Sequence, residues 1–312
     1  MSRHDQEGGG IHLGHIVAAT RIPFAAVSVM PVLFAGIWTW YYRGLLDIPL
    51  FAAAVCGVLF VHLGANTIND YADWNRSDRN NPYAGPFNGG SRYRLGHVLS
   101  RKTFLAISCV CFGAGAAAGL YILHSARPYT LLFLAAGIGA ALIYSLPPFS
   151  LHSRGAGEAV IFAAFGPLLM SAAGYVLSGT VNPVYMLLGI PNGILTVLIL
   201  WVNEFPDADA DTRAGKRNLV VRLGPEKAVW AWPVLFICFY GTVAALWFAG
   251  ILPPASLFLL LLIPLNIIYG KRFFAYCMVP EKLEGVQKHA VMFHAAGSGY
   301  LLLILTISVF SA

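Results

Sequence analysis

The sequence predicts an all-α protein that crosses a membrane many times. Of its 312 residues, 58% are hydrophobic and only 11% are charged, and the mean hydropathy is +0.68. These values lie well outside the range of soluble globular domains. The apolar residues also fall into stretches close to the roughly 20 residues that a helix needs to cross a bilayer. We therefore expect a polytopic membrane protein with nine transmembrane helices.

The predicted spans follow one another with short or polar links. They lie at residues 22–42, 48–70, 103–123, 128–146, 157–178, 184–206, 228–250, 255–271 and 288–310. Residues 1–21 are predicted to form a polar tail, and residues 22–312 a single domain. Because so few residues separate the third span from the fourth, and the fifth from the sixth, these pairs should pack as antiparallel hairpins.

The distribution of basic residues predicts the orientation in the membrane. With a cytoplasmic N-terminus, the tail and alternate loops hold all but two of the 20 Lys and Arg residues, the exceptions being Arg43 and Arg127. Positive charge is enriched in cytoplasmic loops. We expect a protein of the cytoplasmic membrane with its N-terminus inside and its C-terminus outside. The net charge is +6, and the basic residues responsible for it lie between the predicted spans. They indicate lipid headgroups and an anionic ligand as partners, and no nucleic acid.

The end of the second span carries a first set of polar residues. Asn66, Asp70 and Asp73 follow at i, i+4 and i+7, so a helix places them on one face. Asp78 comes shortly afterwards. Carboxylates at the end of a membrane helix are costly unless a cation or a water-filled cavity receives them. This face is therefore a candidate ion-binding site.

A second set follows at the end of the sixth span. Asn203, Asp207 and Asp211 are spaced i, i+4 and i+8, while Asp209 falls on the opposite face and is expected to be solvated. GGSRYRLG after the first set parallels GKRNLVVRLG after the second. Both sets should lie on the cytoplasmic side, in two halves of a weak internal repeat with the site between them.

The residue types indicate phosphate chemistry. Carboxylate and carboxamide oxygens suit Mg²⁺, which commonly bridges one or two carboxylates to substrate phosphates. Basic side chains beyond each set can neutralise the remaining phosphate charge. We expect them to bind a diphosphate; they are Arg92 and Arg94 after the first set and Lys216 and Arg217 after the second.

Two further arginines and one glutamate are weaker candidates. Arg21, at the mouth of the first span, and Arg154, in the loop before the fifth, could contact the diphosphate or serve as membrane-interface anchors. Glu158 could cap the fifth span or orient Arg154. Tyr and Trp residues at span ends are expected to lie at the membrane interface.

Two classes of function fit this pattern. The first is an enzyme that acts on an allylic diphosphate. The metal and the basic residues would stabilise the leaving group, while aromatic-rich helices could house the isoprenoid tail and stabilise a developing cation. A secondary transporter would instead use membrane carboxylates to bind Na⁺ or H⁺ near the midplane. Because the acids lie at helix ends and precede basic loops, the sequence favours the enzyme.

Three motifs resemble the UbiA superfamily of intramembrane prenyltransferases. They are NxxxDxxD at 66–73, YSLPPFSLHSRGAGE at 144–158 and NEFPDADADTRAGKRNLVVRLG at 203–224. The resemblance covers nearly the whole chain and implies nine transmembrane helices around a central cavity with cytoplasmic cap loops. It also implies Mg²⁺ and prenyl diphosphate binding by the two polar sets, at Asn66, Asp70, Asp73, Asn203, Asp207 and Asp211.

Details of the motifs indicate a branch of that superfamily. NDYAD, GPFNGGSR and GKRNLVVRLG are most similar to the menaquinone branch, which prenylates 1,4-dihydroxy-2-naphthoate; 4-hydroxybenzoate or another acceptor is the alternative. One position departs from the pattern, because Trp74 stands where many members have a carboxylate. We expect Asp73 or Asp78 to take over its role as a metal ligand.

Overall fold

The structure is a computed structural model that describes residues 12–74, 81–91 and 98–311. Within these residues every regular element is helical, and eight helices are long and apolar enough to cross a membrane. A ninth apolar helix is shorter, with 16 residues. The predicted all-α membrane fold is therefore confirmed, whereas the count of nine holds only when the short helix is included.

The helices are numbered here in chain order, joining segments that continue one another. They are α1 (Leu13–Ala19), α2 (Ile22–Arg43), α3 (Ile48–Ala72), α4 (Arg101–His124), α5 (Thr130–Ser145), α6 (Gly157–Ser178), α7 (Pro183–Arg213), α8 (Leu219–Leu223), α9 (Pro225–Phe248), α10 (Pro254–Tyr276) and α11 (Glu284–Ser311).

Side-chain caps explain where several of these helices begin. Asp47 accepts a hydrogen bond from the amide of Leu50 before α3, Ser100 accepts one from Thr103 before α4, and Asn182 accepts one from Val184 before α7. Each satisfies an amide that has no partner within the first helical turn. Gly179 ends α6 with φ +78°, a left-handed conformation that glycine adopts at little cost.

The longest helix, α7, lies at the centre of the bundle and is buried over most of its length. It continues past the predicted end at residue 206 to Arg213, so the second polar set is entirely helical. Small residues bring α6 close to it. A Cβ on Gly166 would lie 2.9 Å from the Gly189 carbonyl oxygen and from the Gly193 Cα. Contact of this kind is typical of helices that pack in lipid.

Contacts between helix ends show that both polar sets lie at one end of the bundle. Arg21, before α2, bonds to residues near the end of α3, and Lys216, after α7, bonds to Asp73 at the C-cap of α3. At the opposite end, Arg43 and Arg127 donate to the last carbonyls of α6. The end that holds the aspartates is called the carboxylate end below.

Candidate active site

A cavity of about 430 Å³ opens among α2 to α7. Its lining is polar at the carboxylate end and almost wholly apolar beyond it. α5 contributes lining residues from Thr130 to Ser145, so the cavity follows this helix for about 22 Å. The polar lining at the carboxylate end consists of Arg21, Asn66, Asn69, Asp73, Asn88, Tyr144, Ser145, His152, Asn203, Glu204, Asp207, Asp211, Lys216 and Asn218.

The first polar set is divided between the cavity wall and the interior of the bundle. Asn66 and Asp73 line the cavity, whereas Asp70 is fully buried behind its wall. A helix turns about 100° per residue, so Asp73 lies about 20° from the direction of Asn66, whereas Asp70 lies about 40° from it in the opposite sense. The same rotation brings Asn69, which the sequence analysis did not single out, onto the cavity face.

Asp70 binds parts of two other segments. Its Oδ1 lies 3.3 Å from the Arg21 guanidinium and its Oδ2 accepts the Ser91 amide at 3.1 Å. Arg21 also donates to the Asn66 carbonyl, and the Asn66 side chain donates to the Thr20 carbonyl. Asp70 therefore joins the start of α2 and the loop after α3 to the end of α3.

Lys216 connects the two polar sets. Its Nζ lies 3.0 Å from Asp73 Oδ2 and 3.4 Å from Asp211 Oδ1, with only 7% of the residue exposed. His152 Nε2 is 3.3 Å from the other oxygen of Asp73. Burial would raise the pKa of the Asp73 carboxyl, but Lys216 and the hydrogen bond from His152 outweigh it and hold that pKa below its ordinary value. Asp73 is thus kept as a carboxylate facing the cavity.

The second polar set faces the cavity throughout. Asp207 Oδ1 accepts 2.5 Å hydrogen bonds from the side-chain amides of Asn81 and Asn88, and its Oδ2 accepts one from the backbone amide of Gly89 at 3.3 Å. Asp211 also accepts from the Asn218 side chain at 3.0 Å. As predicted, Asp209 is exposed.

The loop segment 81–91 fits over both sets. Asn88 holds it together, since its side chain donates to the Tyr83 carbonyl and accepts from the Gly85 amide. Gly89 and Gly90 both have φ near +70°, a conformation that glycine adopts most readily. This backbone turns the Gly89 amide to Asp207, and two residues later the Ser91 amide reaches Asp70.

Two predicted diphosphate contacts lie away from the cavity. Arg217 is exposed, and its described contacts come from its backbone, whose amide donates to the Ser153 carbonyl. Arg154 is also exposed and donates to the Pro148 carbonyl at 2.6 Å. Gly215, with φ +76°, turns Lys216 inward, and the next side chain therefore points outward. Asp78, Arg92 and Arg94 lie outside the described residues.

Glu158 neither caps α6 nor orients Arg154, contrary to both expectations. Its Oε1 accepts the Leu219 amide at 3.0 Å and so holds the start of α8. Glu204, a second buried glutamate, lines the cavity from α7. It was missed because it directly follows Asn203 and was read as part of the same motif.

Other site residues became visible only through tertiary contacts. His152, Asn88 and Asn218 belong to motifs noted in the sequence, but the spacing of those motifs did not indicate what they bind. Gln287, on α11, donates to Asn203 at 3.2 Å, and no pattern around it indicated this contact.

The donor set fits hard divalent cations such as Mg²⁺. Asp73, Asp207 and Asp211 present carboxylates to the cavity beside the carboxamides of Asn66 and Asn203. Among residues 12–74, 81–91 and 98–311, no three His, Cys, Asp or Glu side chains converge into one metal cage. The described carboxylates are therefore separate groups around the cavity. Mg²⁺ commonly takes one or two carboxylates and completes its shell with water and phosphate oxygens, so this arrangement fits it.

Comparisons with known proteins show the family of this chain. Residues 28–306 match the UbiA prenyltransferase family. The chain is 25% identical over 302 residues to the chloroplastic 2-carboxy-1,4-naphthoquinone phytyltransferase of Arabidopsis thaliana, covering 93% of this chain and 76% of the relative. It is 24% identical over 254 residues to the 1,4-dihydroxy-2-naphthoate octaprenyltransferase of Bacillus subtilis, covering 81% and 80%.

A solved structure has the same fold. A UbiA homologue from Archaeoglobus fulgidus, bound to GPP and Mg²⁺, aligns with a TM-score of 0.64 over 96% of this chain and 100% of its own, at 13% identity. Because the family match covers most of the sequence and the apolar helices, the paired polar sets and this fold agree with it, the chain belongs to the UbiA prenyltransferase family and is a multi-pass membrane enzyme.

Proposed function

We propose that this enzyme transfers a polyprenyl group from a prenyl diphosphate to a hydroxylated aromatic acid, 1,4-dihydroxy-2-naphthoate, in a Mg²⁺-dependent reaction. The observation that carries the proposal is a single cavity with two chemically different parts. Carboxylates, carboxamides and Lys216 gather at one end, and an apolar passage continues along α5. An amphiphile with an anionic head and a long hydrocarbon tail matches this shape.

The polar end accounts for diphosphate binding and departure. Asp73, Asp207 and Asp211, with Asn66 and Asn203, would hold Mg²⁺, which would supply a Lewis acid for the leaving diphosphate oxygens. Lys216 and Arg21 lie at the same end and add positive charge. Fixed charges at the place where negative charge develops lower the barrier without reorganisation. The allylic carbon–oxygen bond breaks, and its electron pair leaves with the diphosphate.

The apolar part accounts for the tail and for the cation that forms. Phe24, Phe87 and Tyr144 line the cavity near its polar end, where their ring faces can stabilise an allylic cation. Beyond them the lining consists mainly of aliphatic side chains and glycines, and burial of a prenyl tail there is favourable in proportion to its apolar area. A carbon of the electron-rich acceptor ring then bonds to the allylic carbon, and the ring regains aromaticity by losing a proton or its carboxyl group.

The choice of acceptor rests on the relatives. Two proteins with about 25% identity are named for naphthoate or naphthoquinone substrates, and the motifs NDYAD and GPFNGGSR resemble the same branch. The test is a membrane assay that offers one labelled prenyl diphosphate with 1,4-dihydroxy-2-naphthoate, 4-hydroxybenzoate or no acceptor. We expect a labelled product with the naphthoate that disappears with EDTA and returns with Mg²⁺. A product with 4-hydroxybenzoate alone would replace the acceptor, and no transfer under any condition would remove the enzyme assignment.

We further propose that the carboxylate end faces the cytoplasm of a bacterial-type inner membrane. The support is the concentration of Lys and Arg in the loops at this end. In a variant without the five native cysteines, a cysteine at Lys282 should react with a membrane-impermeant maleimide only from the cytoplasmic side. A cysteine at Thr180, an exposed residue close to Ser178, should react only from the other side. Labelling of both from one side would contradict this topology.

A further inference from the structure

A histidine lies in the wall of the cavity where its polar end meets its apolar part. His62 is on α3, four residues before Asn66, which places it about 6 Å further from the carboxylate end. The residue lines the cavity and is only 7% exposed. Neither the two polar sets nor the motifs discussed above include it.

Ser28 lies beside one ring nitrogen of His62. Its Oγ is 2.6 Å from His62 Nδ1, a contact in which either atom can be the donor, and 3.2 Å from the Ala25 carbonyl oxygen. A hydroxyl has one proton, and we assign that proton to the Ala25 carbonyl, so that the serine oxygen accepts from Nδ1–H. Nε2 then carries the lone pair, and it has no hydrogen-bond partner among the described residues.

The ring is also held by packing. Phe165 meets it edge to face, with centroids 5.4 Å apart and planes at 76°. Phe165 belongs to a π-helical turn of α6, Ala164–Leu168, a feature that is frequent at functional sites. The Asn192 side chain donates to the Phe165 carbonyl at 2.7 Å and to the Val27 carbonyl at 3.1 Å. One carboxamide therefore ties the turn beside His62 to the helix that carries Ser28.

The surroundings of Nε2 limit what it can bind. A buried acceptor nitrogen is costly unless it receives a hydrogen bond. A prenyl tail has no donor to offer, whereas a phenolic hydroxyl has one. The ring carbon of the acceptor must approach the allylic carbon to about 3–3.5 Å, so the acceptor ring has to enter the cavity where its polar end meets its apolar part. His62 lines the cavity one helical turn from Asn66.

We propose that His62 Nε2 accepts a hydrogen bond from a ring hydroxyl of the aromatic acceptor, with Ser28 as the positioning residue that fixes the tautomer. This inference rests on the proposed function and adds the residue that selects a free hydroxyl. The enzyme then discriminates against acceptors whose hydroxyl is alkylated, because an ether has no proton to donate and leaves Nε2 unsatisfied.

The test compares 1,4-dihydroxy-2-naphthoate with its two monomethyl ethers at saturating prenyl diphosphate and Mg²⁺. The wild type should favour the free acceptor over one of the ethers by about tenfold to a hundredfold in kcat/KM. His62→Phe keeps the ring packing and removes the nitrogen; it should raise the acceptor KM about tenfold and abolish the preference, with the diphosphate KM unchanged. His62→Gln restores an acceptor atom and should recover part of the preference.

Thr196→Val is the matched control. Thr196 lines the same cavity from α7, eleven residues before Asp207, as His62 is eleven before Asp73. Its hydroxyl donates to the Asn192 carbonyl of its own helix, so the preference should survive its removal. Equilibrium binding of labelled geranyl diphosphate with Mg²⁺ verifies that each variant retains an intact site. If His62→Phe does not fold, Ser28→Ala replaces it as the test, since this variant should reduce the preference for the free acceptor over the ether several-fold.

The outcomes separate this inference from the proposed function. A wild type that prenylates the naphthoate, together with a His62→Phe enzyme that keeps the hydroxyl preference, overturns the role of His62 alone. A wild type that uses the monomethyl ethers as efficiently as the free acceptor also overturns the role of His62 alone. A wild type that prenylates no hydroxylated aromatic acid overturns the proposed function, and the inference that rests on it falls with it.

Discussion

The two ends of the cavity are built in opposite ways. At the polar end, side chains from separate elements bind one another: Lys216 lies between Asp73 and Asp211, and Asn88 reaches Asp207 across the loop. In the apolar part, lining residues leave room around them. A Cβ added to Gly137 on α5 would meet no other heavy atom within 4 Å.

This difference follows from the forces at each end. The hydrogen bonds of charged groups and carboxamides depend on direction and weaken when a distance changes by a few tenths of an ångström. Their partners must therefore be fixed before the substrate arrives. Apolar burial is non-directional and scales with area, so the tail needs volume more than exact contacts. We therefore expect substitutions at the polar end to affect the rate for every donor, and substitutions in the apolar part to act according to tail length.

The largest effect is expected at Asp207. Asp207→Asn removes a carboxylate that faces the cavity and is held by donors from Asn81, Asn88 and Gly89. It should lower kcat by at least about a hundredfold, as removal of one fixed electrostatic group in an active site often does. Asp209→Asn is the control, since Asp209 is exposed on the same helix and should retain near-normal activity. Equal losses in the two variants would contradict the assignment of the cavity face. Prenyl transfer in purified detergent micelles provides the measurement.

The next effect separates two adjacent basic residues. Lys216→Met should lower kcat/KM for the diphosphate by roughly tenfold to a hundredfold, because a hydrogen bond to a charged group contributes about 1.5–3 kcal/mol. Arg217→Met should change it less than about threefold, since that side chain is exposed. The acceptor KM should stay constant in both. A greater loss of kcat/KM in Arg217→Met than in Lys216→Met would mean that the loop changes conformation when substrate binds.

Asp70 should influence stability more than the interaction with substrate. Asp70→Asn leaves the partly buried Arg21 guanidinium without its described carboxylate partner, which should cost about 1–3 kcal/mol and lower Tm. The double variant Arg21→Met/Asp70→Asn removes both charges and should recover part of that loss, giving a measurable coupling energy. Additive losses in the cycle would show that the two charges do not stabilise each other. Thermal unfolding of the variants in detergent, with and without Mg²⁺, measures these differences in stability.

The smallest effect is expected in the apolar part. Gly137→Leu places a side chain in the cavity without a clash and should reduce transfer from a long-chain donor several-fold while leaving geranyl diphosphate unaffected. Gly139→Leu is the matched control, because this glycine also has open space around it but does not line the cavity. Equal sensitivity of short and long donors to Gly137→Leu would place the tail elsewhere. Competition between the two donors in one reaction measures the ratio directly.

The sequence alone was sufficient for the fold class and for several of the polar residues that line the cavity. Hydropathy identified each long apolar helix, because a bilayer requires about 20 apolar residues of any spanning helix regardless of its neighbours. The spacing of Asn203, Asp207 and Asp211 identified a shared face, because helical periodicity is a local property of the chain. Asp209 was assigned to the opposite face for the same reason, and it is exposed.

Only the tertiary structure decided which of the polar residues meet. Asp70 shares the predicted helical face but is fully buried against Arg21 and Ser91, since the boundary of a cavity depends on where neighbouring helices pack. Lys216 and Arg217 are indistinguishable as basic residues in sequence, yet the turn at Gly215 directs one inward and leaves the other exposed. The pairing of His62 with Ser28 joins residues on two different helices. Contacts between distant segments depend on packing of the whole bundle, which local periodicity does not encode.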